Sequence, residues 1–168
     1  MKPVLLLTLM LLLFTPAQAE QFPKMQFEDI FGNIVHLGEV SEKPKIIILS
    51  KPGLSNRRHN VAWLENILKA TDRETGPTIH MISDFTGLPG FINKDSLRRK
   101  MLEKSKGPEK KALERLLFDW HGDARPILEK DSQIHVFVVD PKNEIRKIVY
   151  GFYKPKKVDL VLEALKGL

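Results

Sequence analysis

The sequence predicts an α/β protein, a three-layer sandwich on a mixed central sheet with an N-terminal hairpin and a helical insert. Three observations carry this. Ile46-Ile47-Ile48-Leu49 is an unbroken, mostly β-branched run of the kind found in a strand buried on both faces. A segment with apolar residues at helical spacing separates it from a second apolar run, Thr78 to Ser83, so those two strands lie parallel. Finally, Ile134 to Val139 and Ile145 to Tyr150 flank the turn Asp140-Pro141-Lys142-Asn143, which predicts an antiparallel hairpin. Parallel and antiparallel pairs in one sheet, with helices packed on it, define the class.

The elements follow in order. Lys2, the apolar core Val4 to Phe14, and Ala17-Gln18-Ala19 after Thr15-Pro16 have the three-part form of an export signal, cut after Ala19. The apolar core is too short to span a bilayer, which takes about 20 residues. Residues 20–168 are then one domain, enough chain for a single core. Phe27 to Leu37 alternates apolar and polar residues around Gly32-Asn33, a hairpin. After the strand at 46–49, Pro52-Gly53 breaks the run, and Ser55 is placed to cap a helix in which Val61, Leu64, Ile67 and Leu68 share a face to about Thr71. Asp95 is the expected cap of a basic helix from Ser96 to about Ser105. Gly107-Pro108 opens another helical pattern through Ala112, Leu113 and Leu116, although Leu116 to Asp119 also reads as a short edge strand. A closing helix carries Val158, Val161, Leu162 and Leu165 on one face.

Composition narrows the function. There are no cysteines among the 168 residues, so disulfides and thiol catalysis are excluded, as is a lipid-modified cysteine terminus. The signal implies a periplasmic protein if the source is Gram-negative and a secreted one otherwise. A net charge of +6 and a pI near 9.5 favour anionic partners without choosing among them.

Three stretches point to a family. Phe27-x-Asp29-x-x-Gly32-x-x-Val35-x-Leu37, then Lys45-Ile46-Ile47-Ile48-Leu49-Ser50, then Val136-Phe137-Val138-Val139-Asp140-Pro141-Lys142-Asn143-Glu144-Ile145 resemble the peroxiredoxin-like and TlpA-like branch of the thioredoxin superfamily, over roughly Phe27 to Leu165. The final third, with Gly151 and the closing helix, is also similar to the Cys-poor, periplasmic YtfJ-like group. The resemblance implies a thioredoxin-like fold, with a Cys-x-x-Cys pair or a single peroxidatic cysteine where the central strand meets its helix, and a cis-proline before the third core strand. Leu54 and Arg57 stand at the two cysteine positions, and Ile134, or Gln133 with a slip of one residue, at the proline. What the resemblance then implies is a thioredoxin-like protein without thiol-disulfide or thiol-peroxidase chemistry.

Two clusters remain as candidate sites. Lys51, Ser55, Arg57, Arg58 and His59 lie at the start of the first long helix, where free N–H groups favour an anion; the alternative is a solvated first turn. Ser55 and His59 share a helical face at i, i+4, but no acid partner accompanies them. The run from Lys94 to Lys111, with Lys94, Arg98, Arg99, Lys100 and Lys104, is either a solvated helix face or a docking surface for an envelope protein or an anionic membrane. It has no interleaved aromatics, which disfavours nucleic acid. The histidines at 36, 59, 80, 121 and 135 have no metal-ligand spacing, so no metal or other cofactor is expected. His80 and His135, in core strands, are placed to meet as a hydrogen-bonded structural pair. Asp84, Asp119 and Asp140, at strand ends, read as turn-formers, and Trp63 and Trp120 as packing residues. The sum is an exported, non-redox binding or interaction module. The alternative is a non-thiol enzyme or anion-binding protein using Lys51 to His59.

Overall fold

The computed structural model describes residues 19–51, 54–71, 75–128 and 133–168, with Leu54 and Ser55 as backbone only. The proposed signal core lies outside the described residues, as do Pro52-Gly53 and the side chain of Ser55. Chain order is β1 (Met25–Asp29), β2 (Ile34–Leu37), β3 (Lys45–Ser50), α1 (Leu54–Ala70), β4 (Thr78–Asp84), α2 (Lys94–Lys104), α3 (Pro108–Leu113), β5 (Leu116–Asp119), a single 3₁₀ turn (Arg125–Ile127), β6 (Ile134–Val139), β7 (Ile145–Tyr150) and α4 (Pro155–Lys166). The strands form one sheet in the order β2-β1-β5-β4-β3-β6-β7. β3, β4 and β5 run parallel and the remaining pairs are antiparallel.

Local chemistry explains the elements. In the β1–β2 turn the Asp29 carboxylate accepts the backbone N–H groups of Phe31 and Asn33, both at 2.8 Å, and Gly32 takes φ +88°, which a side chain would oppose. On β3, Ile46 and Ile48 face α1, where Trp63, Leu64 and Ile67 are buried against them, while Ile47 and Leu49 face the opposite side. That alternation is the period-2 consequence of a strand buried on both faces. Residues of all four helices join the first core. The opposite core, with Phe27, Leu37, Ile82, Leu117 and Phe137, is closed by Phe22 and by Ala124, Ile127 and Leu128, so this third layer is thin.

The insert departs from expectation in two places. Leu116–Asp119 is neither a helix extension nor an edge strand: β5 sits inside the sheet between β1 and β4. All four of its residues are buried, which an edge would not require. The cap of α2 is Asn93, whose side chain accepts from the Ser96 N–H at 2.8 Å; Asp95 instead pairs with Arg98 at 2.5 Å, one turn along. His80 and His135 point to the same face but do not form a pair. β3 lies between their strands, with His80 opposite Ile47 and His135 opposite Leu49, which places them about 12 Å apart at ordinary strand spacing and rise.

Candidate functional site

Parallel strands end together, and ligands in open α/β sheets bind in the crevice beyond those ends. Here Ser50 closes β3 and Ser83 lies beside it on β4 in direct register. Both residues fall on the α1 side, in step with Ile46, Ile48 and Met81. Above them lies a cavity of about 430 Å³. Val61, Met81, Phe85, Leu88, Met101 and Leu113 are among its apolar walls, supplied by α1, β4, the loop after β4, α2 and α3.

The floor is polar. The side-chain amide of Asn60, on α1 and 6% exposed, donates to the Ser50 hydroxyl at 2.7 Å, and the Ser50 and Ser83 hydroxyls lie 3.4 Å apart. The Asn60 side-chain oxygen is buried with no hydrogen-bond partner among the described residues. Asn56 donates to the Lys51 carbonyl at 2.7 Å, tying the start of α1 to the end of β3. Sequence reasoning missed this serine–asparagine chain, because neutral hydroxyls and amides at β3, α1 and β4 form no linear motif.

The cationic cluster is spread out rather than gathered. Lys51 and Arg57 line the cavity, and Arg57 pairs with Glu109 at 3.2 Å across its mouth. Arg58 is exposed, while the His59 ring stacks on Phe152 with centroids 4.4 Å apart. Leu54 opens α1, and Ile134 is fully buried at the start of β6. The two partners of the Arg57–Glu109 pair are 53% and 51% exposed, so Arg57→Ala should change unfolding free energy by no more than about 0.5 kcal/mol in a urea titration.

Along the same edge, Asp84 is held by Arg125 at 2.7 Å and accepts from the Thr86 N–H at 2.9 Å. Burial alone would raise the pKa of this carboxyl, but the hydrogen bonds from Arg125 and Thr86 outweigh it and leave it below its ordinary value. On α2, Lys94 stands 4.8 Å over the Trp120 ring and 4.0 Å from Glu28, and Arg98 pairs with Glu28 and Asp95. Two of the five proposed docking cations therefore clamp the insert to the N-terminal hairpin. Arg99, Lys100 and Lys104 are exposed. No group of three metal-ligating side chains occurs among the described residues.

A thioredoxin-like sheet and first helix, without a cysteine anywhere in the chain, define a thiol-free protein of thioredoxin-like fold. Solved structures agree on the fold. The chain is similar to the exposed lipoprotein thioredoxin of Streptococcus pneumoniae (15% identity, TM-score 0.61, 87% of this chain and 100% of that one). It is also similar to a thiol:disulfide interchange protein from a Bacteroides species (21%, TM-score 0.60, 90% and 91%) and to a peroxiredoxin-like protein from Aquifex aeolicus (11%, TM-score 0.57, 87% and 86%). No family model and no curated protein matches.

Proposed function

We propose that this is an exported, non-redox binding module whose ligand site is the cavity at the C-terminal ends of β3 and β4. The observation that carries the reading is the cavity itself, at the place in the fold where thiol-dependent relatives carry their cysteines, walled by apolar side chains and floored by hydrogen-bonding ones. Apolar lining with a few convergent polar groups is the usual make-up of a small-ligand site. Leu54, Arg57 and Ile134 at the positions of the two cysteines and the cis-proline support the loss of redox chemistry. The apolar leader with Ala17-Gln18-Ala19 supports export to the periplasm of a Gram-negative cell, or secretion from another.

The purified chain is expected neither to reduce a protein disulfide nor to consume peroxide above a buffer blank. Activity that persists through purification would overturn the reading. A broad small-molecule thermal-shift screen is expected to yield ligands whose stabilising effect is lost in Ala112→Trp, which fills the cavity. Ligands that stabilise both proteins equally would place the site elsewhere.

A second reading is favoured by one observation: Arg99, Lys100 and Lys104 stand exposed on α2 and form no ion pair among the described residues. They suit docking on an acidic envelope protein or an anionic surface. Such association should weaken as salt rises from 0.05 to 0.5 M, roughly as charge screening shortens.

A further inference from the structure

Resting on the binding-module reading, we infer the class of ligand: an uncharged, mainly apolar molecule whose head group both donates and accepts a hydrogen bond, as an alcohol does. The Asn60 side-chain oxygen sets the first requirement. Asn60 lines the cavity and is buried; its amide nitrogen is spent on Ser50, and its oxygen has no partner among the described residues. An O–H or N–H brought in by a ligand recovers the free energy that such an unmatched buried acceptor costs. The serines set the second. Ser50 and Ser83 carry one hydroxyl hydrogen each and share one contact, at 3.4 Å, in which either is able to donate. Whichever does so, one hydrogen is spent between them and the other is left over. The floor therefore presents one acceptor and one donor for either direction of the serine pair.

A charged head fits this floor poorly. A carboxylate has no hydrogen for the Asn60 oxygen and sets a negative atom against it. An ammonium group would give up its water for neutral amide and hydroxyl atoms, since Asp84 and Glu109, the carboxylates at the cavity, are held by Arg125 and Arg57. A ketone satisfies a serine and leaves the Asn60 oxygen unmet. Size and lining set the body. A cavity of about 150 Å³ admits benzene, so one of about 430 Å³ has room for a chain of about eight carbons with its head. Met81 and Met101 in the walls suit a flexible chain, because thioether side chains repack around irregular shapes.

Isothermal titration of the protein at pH 7 with octan-1-ol, hexan-1-ol, octan-2-one, sodium octanoate and octylammonium chloride, each below its solubility limit, tests this. Octan-1-ol should bind one per chain. Octan-2-one should bind about tenfold more weakly, for want of the hydrogen that Asn60 accepts, and the two ions more weakly still. Hexan-1-ol should lose about fifteenfold, since each buried methylene contributes close to a fourfold change. Asn60→Ala should bring octan-1-ol down to the affinity of octan-2-one while leaving octan-2-one almost unchanged, and Ala112→Trp should abolish both.

Octan-2-one binding as tightly as octan-1-ol would overturn the donating head, and tighter binding of octanoate or octylammonium would overturn the uncharged one. Both comparisons use the parent protein, so they decide even if Asn60→Ala fails to fold. A folded Asn60→Ala protein that binds octan-1-ol like the parent would overturn the role of Asn60. If none of the five probes binds, the ligand class is overturned; the binding-module reading survives that result if the broad screen finds ligands blocked by Ala112→Trp, and falls with it if the screen finds none. Equal binding of octan-1-ol to Ala112→Trp and to the parent would exclude the cavity itself.

Discussion

Asp119→Ala should lower the unfolding free energy by about 4 kcal/mol, because this one carboxylate satisfies four backbone donors. It accepts from the N–H groups of His121, Gly122 and Asp123 at 3.3, 2.7 and 2.9 Å with one oxygen and from Ala124 at 2.9 Å with the other. Asp119 is 1% exposed, and Ala124 is buried in the core of the second face. Without the carboxylate, the turn that feeds Arg125–Ile127 loses its organiser, and the thin cover over Leu117 and Phe137 loosens. Asp119→Asn keeps one acceptor oxygen and should cost about half as much. Urea unfolding of the three proteins checks this: at a slope of ~2 kcal/mol per molar, the midpoint of Asp119→Ala should fall by roughly 2 M. A fall of under about 0.5 M would show that water replaces the carboxylate.

Lowering the pH from 7 to 4.5 should destabilise the fold through His80, with a ceiling of about 3 kcal/mol. Burial first, then the neighbouring charges of Lys45 and Arg115, lower its pKa from 6.5 to about 4. The folded-state value lies below the unfolded one, so the native state keeps this histidine neutral while the unfolded chain takes up a proton. The contribution is therefore complete above pH 6.5 and is lost as the pH falls toward 4. The carboxyls of Asp84 and Asp140 act in a different window. Both are lowered from 3.8, Asp140 because the Glu144 N–H and Arg146 outweigh its burial, so their contributions are lost only below about pH 4. His80→Asn, measured by urea unfolding at pH 7 and 4.5, should remove most of the difference between the two pH values. An unchanged difference would assign the acid sensitivity to another group.

The strands and helices were legible where side chains repeat with a strong period. Ile46 to Leu49, the hairpin 134–150 and the face Val158, Val161, Leu162 and Leu165 all stand where periodicity puts them. Leu116–Asp119 was ambiguous because four residues do not distinguish a strand from the tail of a helix; pairing with Met81 to Asp84 on one side and with Glu28 and Asp29 on the other decided it. The site was half legible. Lys51 and Arg57 reach the cavity, but His59 is taken up by Phe152, and Ser50, Asn60 and Ser83 become a site only when β3, α1 and β4 are side by side. Charged residues attract notice in a linear sequence, whereas a neutral hydrogen-bonded floor is created by topology.

The placement of β5 also bears on the order in which the chain can assemble. β1 and β2 are joined by a short turn and can pair as soon as they are made, yet β1 joins the sheet through β5, with Glu28 opposite Phe118, about 90 positions later. Until then the core around Phe27 and Leu37 lacks Leu117, Ala124, Phe137 and Val139. Contacts of such long range close late and slowly. Docking of the β1–β2 pair onto the rest of the sheet therefore belongs among the last steps of folding, after residues 116–119 are in place.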